Sequence, residues 1–261
     1  MELNKLKDIL SLPSYFGCET LVRNYIIDFA IDNYLQYETD TKGNVYIFKG
    51  ELLDNEYYPC VSAHMDTVYI NQIDLVFNNK RLDIIETIID SDIILRAYKN
   101  GIGGDDKCGV AICLELLLKT DKIMAAFFVE EEFGCKGSKS ANKTVFEKVG
   151  YVIEFDAPTN NWCSEYCSGV KLYTEEVYDK IKPILTEYSI TNISNDPYTD
   201  VVSLKKLFDF ICLNFFAGYY NQHSGVKEYV SFNDVNKAIN MGYQIIELLG
   251  NKKYILKQDV Q

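Results

Sequence analysis

Ile123 to Val129 is an unbroken apolar run, and three glutamates follow it directly. A half-exposed strand alternates apolar and polar residues, so a short continuous run suits a strand buried on both faces. Such strands occur where helices cover both sides of a largely parallel sheet. Tyr151 to Phe155 repeats the pattern and ends in Asp156, and Tyr58 to Ala63 is a third apolar stretch, ending in His64-Met65-Asp66. Each charged motif sits where a buried strand stops, and open α/β sheets hold their ligands outside the carboxyl ends of their strands. These stretches predict an α/β fold in three layers, a mostly parallel central sheet flanked by helices.

The other elements follow the same periodicities. Residues 2–11 and 19–35 read as helices, separated by a break from Ser14 to Thr20. The segment YETDTKGNVYIFKG reads as a hairpin that turns at Lys42-Gly43-Asn44. Residues 73–98 alternate around Asn78-Asn79 and Asp90-Ser91, which predicts a β-meander. Helices are expected over 105–119, 174–188, 199–207 and 233–249, with a strand from Ile211 to Phe216. The chain has 261 residues, 48% of them hydrophobic, with no repeat or linker-like stretch. One catalytic domain over 1–261 is the expectation.

A formal charge of −12 argues against nucleic acid and an anionic membrane as partners. No apolar run approaches the roughly 20 residues that a membrane span needs. The start, MELNKLKDIL, is amphipathic rather than basic-then-apolar, so a cytoplasmic location is expected. The eight cysteines form no CxxC and read mainly as small core residues. Cys163 and Cys167, four apart, are the pair whose spacing leaves metal binding or pairing open.

Chemistry concentrates in five places. In GIGGDDKCG a glycine-rich turn delivers Asp105 and Asp106 to the mouth of a helix, an arrangement that suits a bound cation. His64 and Asp66 are two apart, so on a strand both side chains point the same way. The imidazole can bind a metal while the carboxylate orients it; a polar strand end is the plainer reading. Glu131-Glu132 place two carboxylates in one turn, where one can hold a metal and the other take a proton from water; a solvated acidic turn is the alternative. Asp156, straight after a buried strand, needs a cation or a donor beside it. His223, the second of only two histidines, follows the aromatic loop Gly218-Tyr219-Tyr220-Asn221 and also reads as a surface residue. GxGxxG, a P-loop, HExxH and GxSxG are all absent, which removes several other chemistries.

Taken in order, HMDTV, GGDDKCG, EEEFGCKG, EFDAP and GYYNQHSG resemble the co-catalytic dizinc exopeptidases related to peptidase T and the compact zinc aminopeptidases. The resemblance covers roughly residues 60–230. It implies two divalent metal ions, zinc by ligand type, and hydrolysis of short peptides, with an aminopeptidase mode favoured. His64 and Asp156 would hold one metal, Glu132 and His223 the other, and Asp105 would bridge them. Asp106 would follow through a cis peptide, Glu131 would be the general base, and Asp66 would support His64. Tyr219, Tyr220 and Asn221 would wall the substrate pocket. The spacing E-E-x-G-x-x-G selects Glu131-Glu132 and leaves Glu130 as the last residue of its strand. Two-domain members insert a lid between the third acidic ligand and the last histidine. Here the segment from Asp156 to His223 reads as helix, helix and strand, which implies a lidless form. The same site could act on a non-peptide amide as a deacylase, and a binding protein with a decayed site is a third reading. The three arginines, Arg23, Arg81 and Arg96, lie in no motif, which disfavours a clamp for a substrate carboxylate.

Overall fold

The computed structural model describes residues 1–196 and 198–256. Helices α1 (Leu3–Leu10) and α2 (Thr20–Asp32) lead into strands β1 (Gln36–Thr39), β2 (Val45–Lys49) and β3 (Tyr58–His64). Helix α3 (Ile73–Phe77), strands β4 (Ile84–Ile89) and β5 (Asp92–Ala97), helix α4 (Gly104–Lys119) and strand β6 (Ile123–Phe128) follow. Two single-turn helices, α5 (Lys136–Lys139) and α6 (Lys143–Phe146), precede strands β7 (Val149–Ala157), β8 (Trp162–Cys167) and β9 (Val170–Lys171). The chain continues through α7 (Glu175–Glu187), β10 (Asn192–Asp196), α8 (Asp200–Leu207), β11 (Ile211–Phe216), β12 (Tyr219–Tyr220), β13 (Tyr229–Ser231) and α9 (Phe232–Leu249).

The large sheet runs β1-β2-β6-β3-β7-β11-β8-β10, with β9 paired to β8. Its centre, β6-β3-β7-β11, is parallel throughout. Those four strands are buried at nearly every position, which is why they read as continuous apolar runs. Neighbouring residues of β7 show the layering. Glu154 accepts a hydrogen bond from the Val201 N–H of α8, while Phe155 packs against α9, where a Cβ on Gly242 would come within 2.6 Å of its ring. Successive strand residues point to opposite faces, so α8 and α9 cover opposite sides. Helix α4 joins α9 on its side, and α5 joins α8. A second, antiparallel sheet, β12-β13-β5-β4, stands beside the first.

The hairpin at the chain's start is β1–β2; its turn is held by Asp40, whose Oδ1 accepts from the N–H groups of Lys42, Gly43 and Asn44. Three expectations need correction. Residues 73–98 are not a meander: Ile73–Phe77 is helical, and only β4 and β5 pair as a hairpin. The segment between Asp156 and His223 adds β8, β9 and β10 to the expected helices and strand. β8 lacks a clean alternation of burial and β10 is a polar edge strand, so neither carries a periodic signal. Helix α4 contains non-helical backbone at Asp105 and Asp106, so its regular turns begin after both aspartates.

Candidate active site

Because β3, β6, β7 and β11 are parallel, the segments following them leave the sheet at one end. His64 is the last residue of β3, Glu131 and Glu132 follow β6, Asp156 is the penultimate residue of β7, and the stretch after β11 carries Tyr219 to His223. Gly103, in left-handed backbone at φ +66°, turns the chain so that Asp105 reaches the same end. The Asp105–Asp106 peptide bond is cis.

The side chains converge on Asp105. Its Oδ1 lies 3.0 Å from His64 Nε2, and its Oδ2 lies 3.2 Å from His223 Nε2. His223 Nε2 is also 2.8 Å from Glu132 Oε1. On the other side, His64 Nε2 is 3.8 Å from Asp156 Oδ1 and 3.9 Å from Glu131 Oε2. The outer nitrogen of His64 faces Asp66: Nδ1 is 3.1 Å from the Asp66 carbonyl and 3.4 Å from its Oδ1. Asp66 reaches further than its place beside His64 suggests. Its Oδ1 accepts from the Glu131 N–H at 2.9 Å and its Oδ2 from the Glu132 N–H at 3.1 Å. One buried carboxylate therefore ties the histidine strand to the glutamate turn.

Glu130 takes no part in this cluster. It adopts left-handed backbone at φ +53° and pairs outward with Lys42 and Lys136, at 2.6 and 3.4 Å. Strand β6 ends at Phe128, two residues earlier than the sequence implies. Asp106 points into the core, where Oδ1 accepts from the Gly109 N–H and Oδ2 from the His64 N–H. A Cβ on Gly109 would lie 2.3 Å from that carboxylate, so glycine makes room for it.

Asp105, Glu131, Glu132, Asp156, Tyr219, Gln222 and His223, with Pro158, Tyr198 and Thr199, line a cavity of about 150 Å³. A larger cleft, about 330 Å³, lies around Pro59 and Asn251 at the other end of β3 and has no histidine in its lining. Tyr219 is buried and donates its hydroxyl to Asp156 Oδ1 at 3.1 Å. Tyr220 and Asn221 are not in the lining. Tyr220 donates to Asp234 Oδ2 at 2.6 Å and stacks on Tyr229, and Asn221 Nδ2 donates to the Lys227 carbonyl at 3.3 Å. Cys163 and Cys167 lie on β8 within 3.7 Å of the hydroxyls of Tyr173 and Thr199, outside both candidate metal groups.

Two supports carried no sequence signal. Glu228 is an isolated glutamate after His223, yet its carboxylate accepts from the N–H groups of Gly103 and Gly104, both at 2.9 Å, and from the Tyr69 hydroxyl at 2.7 Å. It fixes the turn that presents Asp105. Cys135, in the turn after Glu132, donates its thiol to Glu131 Oε1 at 3.1 Å.

The electrostatics fit a cation site. Burial raises Glu131 to about 8. Asp156 is raised well above the carboxylate range, first by burial and then by the charges of Asp105 and Asp106. His223 is raised to about 10 because its ring N–H donates to the carboxylates of Asp105 and Glu132. The cluster draws protons because four carboxylates face a lining that contains no lysine or arginine. Divalent cations would supply the same positive charge. The ligand atoms of His64, Asp105 and Glu132 lie within 4.8 Å of one another, as do those of His64, Asp106 and Asp156. Imidazole nitrogen with carboxylate oxygen is the donor set of zinc and neighbouring transition metals.

Residues 48–207, well over half of the chain, match the sequence model of peptidase family M28. No curated protein matched the sequence. Among solved structures, an aminopeptidase PepT from Bacillus cereus superposes with a TM-score of 0.74 at 13% identity, covering 95% of this chain and 97% of that one. A tripeptidase from Staphylococcus aureus gives 0.71 at 13% identity, over 95% and 97% of the two chains. An aminopeptidase from the archaeon Desulfurococcus kamchatkensis gives 0.71 at 14% identity, over 98% of each chain. The resemblance to the exopeptidases related to peptidase T is borne out in family and in fold. The chain belongs to peptidase family M28, the metallopeptidase family that its five motifs anticipate.

Proposed function

We propose that this metallopeptidase removes the N-terminal residue of short peptides, using two divalent metal ions, zinc by donor type. The observation that carries this reading is Asp105, whose two oxygens face two different histidines, His64 at 3.0 Å and His223 at 3.2 Å. A carboxylate so placed suits a bridge between two cations. Asp156 would complete the His64 side and Glu132 the His223 side. The segment between Asp156 and His223 contributes strands to the central sheet, which supports a lidless catalytic domain.

When bound, the metals polarise the substrate carbonyl and lower the pKa of the attacking water. The chain's residues supply the rest. Glu131, buried and on the cavity wall, takes the water's proton through Oε2 and returns it to the leaving amine. Asp66 holds the imidazole of His64 and both glutamate N–H groups, so base and ligands keep a fixed relation. The lining has no lysine or arginine to clamp a C-terminal carboxylate, which supports the aminopeptidase mode. The cavity's size suits one residue rather than a long peptide.

The test is a panel of di- and tripeptides with free or blocked termini, assayed with and without added zinc. Cleavage is expected only with a free N-terminus and metal. Glu131→Gln is expected to remove most turnover with metal retained, and Glu130→Gln to remain active. Cleavage of N-acetylated peptides at the same rate as free ones would overturn the aminopeptidase reading. Loss of turnover in Glu130→Gln, with Glu131→Gln losing metal, would shift the glutamate register by one.

A further inference from the structure

The turn that carries the glutamates is wound tightly around the carbonyl of Glu131, which accepts from the N–H groups of Gly134 and Cys135, both at 2.8 Å. Cys135 adopts left-handed backbone at φ +51°, a region that few residues with a side chain occupy. This conformation brings its fully buried thiol within 3.1 Å of Glu131 Oε1. Asp200, on the first turn of α8, is fully buried and accepts a hydrogen bond from the Ser138 hydroxyl. Glu131 therefore has two distinct oxygens: Oε1 meets the thiol, and Oε2 lies 3.9 Å from His64 Nε2, beside the cluster.

We propose that Cys135 is a positioning residue for Glu131. Its thiol proton, given to Oε1, fixes the carboxylate's rotation and keeps Oε2 turned toward the reacting water. This inference rests on Glu131 acting as the base. A buried carboxylate oxygen that loses its donor is left unsatisfied or turns to find another. Either change moves the group that must meet the water's proton, and misplacement of a catalytic group lowers the chemical step more than substrate binding. The thiol is a weak donor, but the turn places it where no other side chain donates to Oε1 among the described contacts.

The experiment compares Cys135→Ala, Cys135→Ser and Glu131→Gln in the metal-loaded enzyme on a cleaved peptide. It measures kcat, KM, metal content and melting temperature for each. Cys135→Ala is expected to lower kcat about tenfold with KM and metal content unchanged. Cys135→Ser keeps a donor and is expected to restore most of that loss. The proposal is overturned if Cys135→Ala keeps full kcat. It is also overturned if Cys135→Ser falls as far as Cys135→Ala, since the sulfur would then serve packing alone. An active Glu131→Gln would remove the base reading itself, and this inference with it. An inactive Glu131→Gln beside a fully active Cys135→Ala would remove only the role given to Cys135.

Discussion

Asp66→Asn is the substitution that most directly probes how the site is held. The carboxylate is fully buried and accepts two backbone hydrogen bonds, from Glu131 at 2.9 Å and from Glu132 at 3.1 Å. Asparagine keeps the shape but turns one acceptor into a donor. One bond to an ionised group, worth about 1.5–3 kcal/mol, becomes a neutral bond worth about 0.5–1.5 kcal/mol. The second N–H then faces an NH₂ group in a buried place, which costs about 1–3 kcal/mol. Allowing for local relaxation, the glutamate turn loses roughly 2–4 kcal/mol of its preference for the assembled geometry. At about 1.4 kcal/mol per factor of ten, that is roughly a 30- to 700-fold fall in kcat/KM. Metal affinity should fall as well, toward the lower end of about 10- to 100-fold, because His64 Nδ1 loses the carboxylate charge 3.4 Å away but keeps the Asp66 carbonyl at 3.1 Å. Peptide hydrolysis at saturating metal, with metal competition against a chromogenic chelator, reads the two effects separately. Full activity and full metal affinity in a folded Asp66→Asn would refute the view that this carboxylate joins the histidine strand to the glutamate turn.

Two further outcomes follow from other parts of the molecule. About two divalent ions per chain are expected by elemental analysis after reconstitution; Glu132→Ala should weaken one of them, and chelation should abolish activity until metal is restored. A folded protein that binds no metal would refute the site. Lys107 is buried and donates to the carbonyls of Leu10 and Leu12, and burial lowers its pKa from the ordinary 10.5 to about 7. Between those two values the folded chain binds fewer protons than the unfolded one, so this group's contribution to stability rises with pH across the window. Denaturant titrations from pH 7 to 9 should show that rise in the wild type and a flatter profile in Lys107→Met; identical slopes would refute it.

The sequence made the centre of the fold legible because β3, β6 and β7 are buried on both faces and are mostly apolar, with only Ser62 and Glu154 interrupting the runs before their ends. His64, Glu131, Glu132 and Asp156 stood out as candidates because each lies at or just after the end of such a run, Asp105 because a glycine-rich turn leads into it, and His223 as the second of only two histidines. The edges were harder to read. β10 is polar because it needs to bury little, and Ile73–Phe77 is too short for its helical period to separate from the alternation around it. Glu228 illustrates a different limit. Its partners Gly103 and Tyr69 lie more than a hundred residues away, and no local spacing marks a residue whose whole role is to accept bonds from a distant turn.

The aromatic loop shows where a rule that worked elsewhere applies again. His64 and Asp66 were read as facing one way because alternate strand residues share a face. Tyr219 and Tyr220 form the two-residue strand β12, and by the same rule adjacent residues diverge. Tyr219 turns to Asp156 and the cavity, while Tyr220 turns to Asp234 and stacks on Tyr229 in the small sheet. One tyrosine thus belongs to the site and the other anchors the strand that presents it. Beyond them, Asn221 and His223 both take left-handed backbone, at φ +55° and +61°, and this winding brings Gln222 and His223 to the cavity while Asn221 bonds back to Lys227. The opposite wall comes from Tyr198 and Thr199, ahead of α8. Substrate choice should therefore depend on two short loops at the strand ends, with Gln222 and Tyr198, rather than Asn221, as the side chains that meet the peptide.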